Sequence, residues 1–266
     1  MHRPFLALLQ FDGTTFVGWQ RQAVGISVQG ELERVLTRLE AAPVAVVGAG
    51  RTDAGVHALR YAASFHVRSQ WEPRSLARAM NALLPRTIWV HSLRPVRDGF
   101  HARRCAVGRR YLYEIGTDAA VRSPFRQGRE WALGRPLHGA LLEGAAAVLT
   151  GEHDFTAYSV RGQQKAHHRC RVTTAAWTER ADGTGWQFRI AADRFLHHMV
   201  RMLVGTMVDV GLGRRPMDDM VRLLGRADND QTSPPAPAEG LYFEDADYAA
   251  AWYAPEVSVA MNEMPS

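Results

Sequence analysis

Apolar positions along the chain follow two periods. Phe5 to Phe11 is a short apolar run closed by Asp12-Gly13, the pattern of a buried strand and its turn. Val28, Leu32, Val35, Leu36 and Leu39 recur at helical spacing and predict an amphipathic helix. Val44 to Val47 is a valine-rich run leading into Gly48-Ala49-Gly50, and Tyr61, Ala63, Phe65 and Val67 alternate at the strand period. Pro73 opens a second helix with Leu76, Met80, Leu83 and Leu84 on one face, and Pro85 closes it. Ile88 to Val96 reads as a further strand.

The second half follows a similar recipe without obvious sequence identity. Val107 to Ile115 is strand-like and rich in tyrosine, and Leu137 to Leu149 carries a helical apolar face. Arg171–Thr178 and Trp186–Ala192 read as strands around the Asp182-Gly183 turn. Leu196, Val200, Leu203 and Met207 predict a helix ending near Gly211 and Gly213, and a short helix is expected from Pro216 to Leu224. Residues 228–239 contain Pro234, Pro235 and Pro237 and read as a loop before a last strand from Gly240 to Phe243. Two α+β lobes of similar order imply one large sheet shared between them with helices packed on it, and the boundary falls near 100–106.

Composition narrows the class. Of 266 residues, 46% are hydrophobic and 22% charged, which excludes a disordered, collagenous or coiled-coil chain. Two cysteines, Cys105 and Cys170, are too few for a disulfide framework or a multi-cysteine zinc site. No run reaches 18 apolar residues, and Met1-His2-Arg3-Pro4 leads directly into a strand-like segment. Neither a membrane span nor a secretory signal is therefore expected, and the expected location is cytoplasmic. The formal charge is +5, and Lys165 is the only lysine. An arginine-rich basic surface suits phosphate and base stacking, although codon bias in a GC-rich genome accounts for arginine preference equally well.

The densest chemistry lies in Gly48-Ala49-Gly50-Arg51-Thr52-Asp53-Ala54-Gly55-Val56-His57-Ala58. It lacks the Gly-Lys-Ser/Thr of a phosphate-binding P-loop, and Asp53 stands where a dinucleotide fingerprint needs its third glycine. By pattern alone it is either a tight turn carrying a surface aspartate or a loop presenting a catalytic carboxylate. Arg51 and Asp53, two apart on an extended segment, can face one cleft. Arg201 lies beside Val204 and Val208 on the predicted helix, either a rim arginine with its head in water or a desolvated cation needing a carboxylate. Tyr111 alternates with Tyr113 on a strand, one of them is expected to face the interior, and by pattern either could be a core aromatic. The pairs His167-His168 and His197-His198 invite a zinc reading, but adjacent residues on a regular strand or helix point apart, and no metal is expected.

The block Arg51-Thr52-Asp53-Ala54-Gly55-Val56-His57-Ala58 resembles the signature of the TruA family of tRNA pseudouridine synthases. Gly18-Trp19-Gln20-Arg21-Gln22, Asn81-Ala82-Leu83-Leu84-Pro85, Phe100-His101-Ala102-Arg103 and Arg109-Arg110-Tyr111-Leu112-Tyr113 resemble it in the right order. So do Phe195-Leu196-His197-His198-Met199-Val200-Arg201 and Ala236-Pro237-Ala238-Glu239-Gly240-Leu241-Tyr242, so that the likeness runs over about residues 3–246. Met202 departs from it, standing where the family commonly has an asparagine.

With the pattern above, the resemblance implies an α+β fold of two similar lobes in one large, mostly antiparallel sheet flanked by helices, with a cleft between them. The N-terminal lobe, 1–103, would carry the aspartate loop, 104–246 the second lobe, and 247–266 an extension, with a short helix at Ala249–Tyr253 and a loose tail from Pro255. It implies isomerisation of uridine to pseudouridine at positions 38, 39 and 40 in the anticodon arm of tRNA, by a homodimer with no cofactor and no metal. Asp53 takes the nucleophile position, Arg201 its ion-pair partner, Tyr111 the target base, Arg51 a phosphate or the vacated stack, and Leu241 the pocket floor. Trp19, Arg21, Gln22, His57 and Arg109 are candidate RNA contacts, and His101 a local hydrogen-bonding or RNA-contacting residue. A silent RNA-binding protein and a nucleoside glycosidase are the rival readings. The second would want another carboxylate near Asp53.

Overall fold

The computed structural model describes residues 2–160, 168–226 and 231–254. Strand β1 (His2–Phe11) is buried on both faces from Pro4 to Leu9, as its unbroken apolar run requires of a central strand. Helix α1 (Val28–Glu40) starts where the Ser27 hydroxyl accepts from Gly30 N at 3.1 Å, and it buries Val28, Leu32, Val35 and Leu36. Of the predicted run at Val44–Val47, only β2 (Val47–Gly48) pairs, against β3 (His57–Arg68). Helix α2 (Pro73–Leu83) has its proline in the first turn, where no amide donor is missed, and leads to β4 (Ile88–Pro95).

Strand β5 (Ala106–Gly116) opens the second half, followed by the short β6 (Trp131–Ala132), helix α3 (Gly139–Ala147) and β7 (Gly151–Asp154). Then come β8 (Arg169–Glu179), β9 (Gly185–Ala192), helices α4 (Met199–Gly211) and α5 (Asp218–Leu223), and β10 (Leu241–Tyr248). The main path through the sheet runs β4-β1-β3-β10-β5-β9-β8-β7, with β2 beside β3 and β6 beside β5. Only the β3–β10 and β5–β6 pairs are parallel, so the fold is α+β with a large, mostly antiparallel sheet.

The last strand thus sits in the middle of the sheet and joins its two halves. It also runs five residues beyond its predicted end at Phe243. The added stretch holds Glu244, Asp245 and Asp247, carboxylates that a central strand does not ordinarily carry unpaired. Their partners come from other strands of the sheet: Arg110 reaches Asp247 at 2.6 Å and Asp245 at 3.1 Å, and Arg189 reaches Glu244 at 3.1 Å. After β10, Ala250–Trp252 is a single 3₁₀ turn in place of the expected helix, and Arg97 N donates to Trp252 O at 3.0 Å. Residues 255–266, expected as a tail, and 227–230 lie outside the described residues.

Helix α4 is buried along almost its whole length because the Ser233–Ala236 segment crosses it. Gly205 makes that crossing possible: a Cβ there would lie 2.2 Å from Pro234 O. Ser233 bridges the same contact, with its amide donating to Thr206 Oγ1 at 3.3 Å and its hydroxyl to Asp209 Oδ2 at 2.7 Å. Gly205→Ala is expected to cost about 1–3 kcal/mol, the range for overpacking a filled interior, read as a lower midpoint in urea unfolding.

Candidate active site

Residues 49–56 form a loop between β2 and β3 that is tied down on every side. Ala49 N donates to Ala62 O at 2.8 Å, the Tyr61 hydroxyl donates to Gly50 O, and Trp19 N donates to Thr52 O at 3.1 Å. Gly18, at φ +109°, permits the last contact, since a Cβ there would meet Thr52 O at 2.5 Å. From the other half of the sheet, the Arg109 guanidinium donates to Ala49 O (3.2 Å), Ala106 O (3.3 Å), Asp193 O (3.0 Å) and Arg103 O (2.6 Å). The loop that presents Asp53 is therefore a braced platform.

Arg201 meets it from α4. Its NH1 lies 2.9 Å from Asp53 Oδ2, while its Nε donates to Ala236 O at 2.7 Å, and Ala236 N returns a bond to Arg201 O at 2.9 Å. Both side chains are largely withdrawn from water, so each charge needs the other. The alternative of a solvated rim arginine does not hold here.

Two histidines complete the cluster. His197 Nε2 lies 3.4 Å from Asp53 Oδ1 and His198 Nε2 lies 3.2 Å from Asp53 Oδ2, with the two rings 4.1 Å apart. This corrects the expectation that adjacent histidines diverge. That rule belongs to regular helices and strands, whereas α4 begins only at Met199 and His198 has φ 62°, ψ 0°. A single left-handed residue turns both rings to one side. The missed signal was at hand, since both histidines share the Phe195–Arg201 motif with Arg201. Burial is the chief reason that the His198 imidazole is held below the ordinary histidine range, with His197 and Arg201 acting in the same sense and Asp53 opposing them. Asp53, His197 and His198 place one ligand atom each within 4.8 Å of one another, but the Arg201 cation already faces that carboxylate.

Around the cluster lies a small inner cavity of about 50 Å³, lined by Tyr111, Phe195, Leu196, Leu241, Arg51 and Asp53 among others. Tyr111 stands edge-on to Phe195 and Phe243, at 4.9 and 5.3 Å between centroids, and its hydroxyl has no hydrogen bond among the described residues. Burial pushes that phenol well above its usual range, so it remains a neutral donor. Tyr113 is the core tyrosine of the pair, its hydroxyl donating to Pro237 O at 2.7 Å. An outer cleft adjoins the cavity, and Gln20, Arg21, Gln22 and Arg51 line it. Asp53 is the only carboxylate among the described residues lining either space.

Three candidate RNA contacts are turned inward or already engaged within the fold. Trp19 is buried against Tyr61, 4.2 Å between centroids, in space left by Gly48, and offers no face to a ligand. His57 is buried, stacked on Tyr242 at 4.7 Å, and its Nδ1 accepts from Gly13 N at 3.1 Å. Arg109 braces the loop with its donors already placed on carbonyls, which have no side-chain signature along the sequence. Arg21 and Gln22 do line the outer cleft, Arg21 largely exposed and paired with Glu33 at 3.2 Å. His101 is half-buried, and its Nδ1 accepts from Arg103 N at 3.2 Å, a local role. His168 and Cys170 form no metal cluster among the described residues, and His167 lies outside them.

The family model for tRNA pseudouridine synthase matches residues 7–103 and 145–249. A protein named tRNA pseudouridine synthase A from Cereibacter sphaeroides is 40% identical over 247 residues, spanning 91% of this chain and 95% of that relative. Proteins of the same name from Variovorax paradoxus and Myxococcus xanthus are 37% and 38% identical, spanning 93% and 90% of this chain and 92% and 90% of those relatives. The chain belongs to the tRNA pseudouridine synthase family. Asp53, Arg201, both histidines and Leu241 fall inside the matched segments of the synthase model, whereas Tyr111 and Arg109 lie between them. Among the described residues, no helix of this family member is long and apolar enough to cross a membrane.

His57 sets a pH dependence of stability. Burial, ahead of the opposing Asp12 charge, holds its imidazole below the ordinary histidine range. The unfolded chain therefore takes up this proton first as pH falls. His57's contribution is complete above about pH 6.5 and is lost as pH drops from there through the depressed folded value. Melting temperatures between pH 7.5 and 5.5 should fall, and His57→Asn should flatten that slope while retaining an acceptor for Gly13 N.

Proposed function

We propose that the protein isomerises uridine to pseudouridine in tRNA, acting in the anticodon stem-loop at positions 38, 39 and 40. The observation that carries the reading is the Asp53–Arg201 pair at a cavity shared with Tyr111, Phe195 and Leu241, in a chain of this family. In the reaction, the N1–C1′ bond breaks, the base turns, and C5 bonds to C1′. The C5 proton leaves and N1 gains one, so no atom is lost or added overall. Cleavage leaves C1′ electron-poor, and one carboxylate can relieve it by capture at the sugar, by addition to the base or by taking a ribose proton.

Each residue has a part in this reading. Arg201 keeps Asp53 charged and aimed, and Tyr111 offers the extruded uracil an aromatic wall and a hydroxyl donor. Leu241 closes the floor, while Arg51 and Arg21 at the outer cleft meet phosphate. Asp53 stands as the sole lining carboxylate among the described residues, which favours isomerisation over glycoside hydrolysis, where a second carboxylate usually serves as acid. A homodimer with one tRNA spanning both subunits, working in the cytoplasm, belongs to the same reading and rests on the family likeness.

Tritium release from C5 of uridine, with mass-spectrometric mapping of the product tRNA, tests the activity. Wild type should release label and leave an intact strand carrying pseudouridine at 38–40. Asp53→Asn should release none. Arg201→Ala should keep its fold and lose about 10²-fold or more in turnover, the scale for removing one charge-stabilising donor. Abasic sites would indicate a glycosidase, and binding without release a silent RNA-binding protein. Affinity for tRNA should also fall steeply between roughly 50 and 200 mM salt, because phosphate contacts release counterions. An affinity unchanged across that range would contradict shape recognition through the backbone.

A further inference from the structure

Many arginines of this chain find carboxylates. Arg21 pairs with Glu33 at 3.2 Å, Arg189 with Glu244 at 3.1 Å and Arg129 with Asp12 at 3.5 Å. Arg103 and Arg104 do not. Both are exposed, and neither guanidinium makes a hydrogen bond or an ion pair among the described residues. Arg103 closes the block Phe100-His101-Ala102-Arg103, which the chemistry at Asp53 leaves without a task.

The turn that carries them is held from several sides. His101 Nδ1 accepts from Arg103 N at 3.2 Å and from Arg104 N at 3.3 Å, and Cys105 N donates to His101 O at 2.9 Å. Ala102 N donates to Ser64 Oγ at 3.1 Å, and Ala102 O accepts from the Tyr248 hydroxyl at 2.7 Å, which ties the turn to β3 and β10. Burial, with the Arg104 and Arg103 charges acting in the same sense, holds the His101 imidazole below the ordinary histidine range, so Nδ1 stays an acceptor at neutral pH. Two long cations thus project from fixed backbone, and only their side chains need ordering when a ligand arrives.

The turn also stands beside the aspartate loop. One nitrogen of Arg109, NH2, donates to Arg103 O at 2.6 Å and to Ala49 O at 3.2 Å, so the two backbones meet across a single atom. Arg51, exposed and likewise unpaired, follows Ala49 by two residues and lines the outer cleft. Three free guanidinium groups therefore lie on adjoining, braced segments. Unpaired cations grouped in this way suit a polyanion, and the planar guanidinium fork suits phosphate. We infer that the 101–104 turn is a second phosphate-binding element of the tRNA site, at which Arg103 and Arg104 hold the backbone flanking the uridine delivered to Asp53. The inference rests on the reading of the protein as a synthase acting on tRNA. Such contacts position the strand without reading its sequence.

The test compares Arg103→Gln/Arg104→Gln with wild type and with Arg74→Gln/Arg78→Gln, which removes the same charge from two exposed arginines of α2. The probe is an unmodified tRNA transcript with uridine at 38, 39 and 40, followed by Kd against salt and by steady-state kinetics. The turn variant should melt at the wild-type temperature, because the bonds that hold the turn are made by main chain and by His101. Its slope of log affinity against log salt should be shallower by about 1.5–2, one phosphate per arginine, so that the wild-type advantage shrinks about tenfold between roughly 50 and 200 mM. KM should rise while kcat at saturating tRNA stays within about twofold of wild type, the pattern of lost uniform binding. The α2 variant should keep the wild-type slope. A turn variant with the wild-type slope, an equal loss of slope in the α2 variant, or a loss confined to kcat would overturn the inference. Tritium release by wild type separates the two levels: an inactive wild type would remove the functional reading and this element with it, whereas any of those three outcomes with an active wild type removes this element alone.

Discussion

A carboxylate and a guanidinium, each poorly solvated and 2.9 Å apart, come from positions 53 and 201 of the chain. Each charge is held more favourably beside the other than alone, because a poorly solvated ion without a partner costs free energy. The pair thus constrains how the two halves meet as well as taking part in the chemistry. The loop before β3 and the start of α4 must meet at hydrogen-bonding distance, and everything around them acts to make that meeting unavoidable.

Three separate devices do so. Strand β10 enters the centre of the sheet between β3 and β5, so the aspartate loop and the strand bearing Tyr111 share one continuous hydrogen-bonded surface. Arg109 crosses from β5 to Ala49 O and fastens the loop to the other half. The Pro234–Ala236 segment, lying over Gly205, takes up the Arg201 Nε and orients its remaining nitrogens. Each device places groups that are not neighbours in sequence, and each depends on backbone carbonyls or on a missing side chain.

That dependence separates the residues that were legible from those that were not. Asp53, Arg51 and Arg201 stood out because charged residues among small or apolar ones are anomalous along a chain, and the structure gathers all three at one cavity. Trp19 and His57 lie beside the aspartate in motif order and looked like ligand contacts, but their rings turn into the core. Arg109 looked like an RNA contact because its true acceptors are carbonyls, which every residue possesses and none advertises. The histidine pair was misjudged because periodicity arguments assume regular backbone, and His198 is not in it. The end of β10 was underestimated for a related reason, its carboxylates being neutralised by arginines from other strands.

The residues alone determined the order of the longer strands and helices, because local periodicity and turn chemistry act within a few positions. They also determined the family, because short blocks such as Arg51–Ala58 are specific on their own. The tertiary structure alone decided which strand lies at the centre, which arginines brace and which line the cleft, and that Arg201 and both histidines gather on Asp53. The physical reason is range. Burial, ion pairing and close approach act through space between segments far apart in the chain, and only the folded backbone sets those distances.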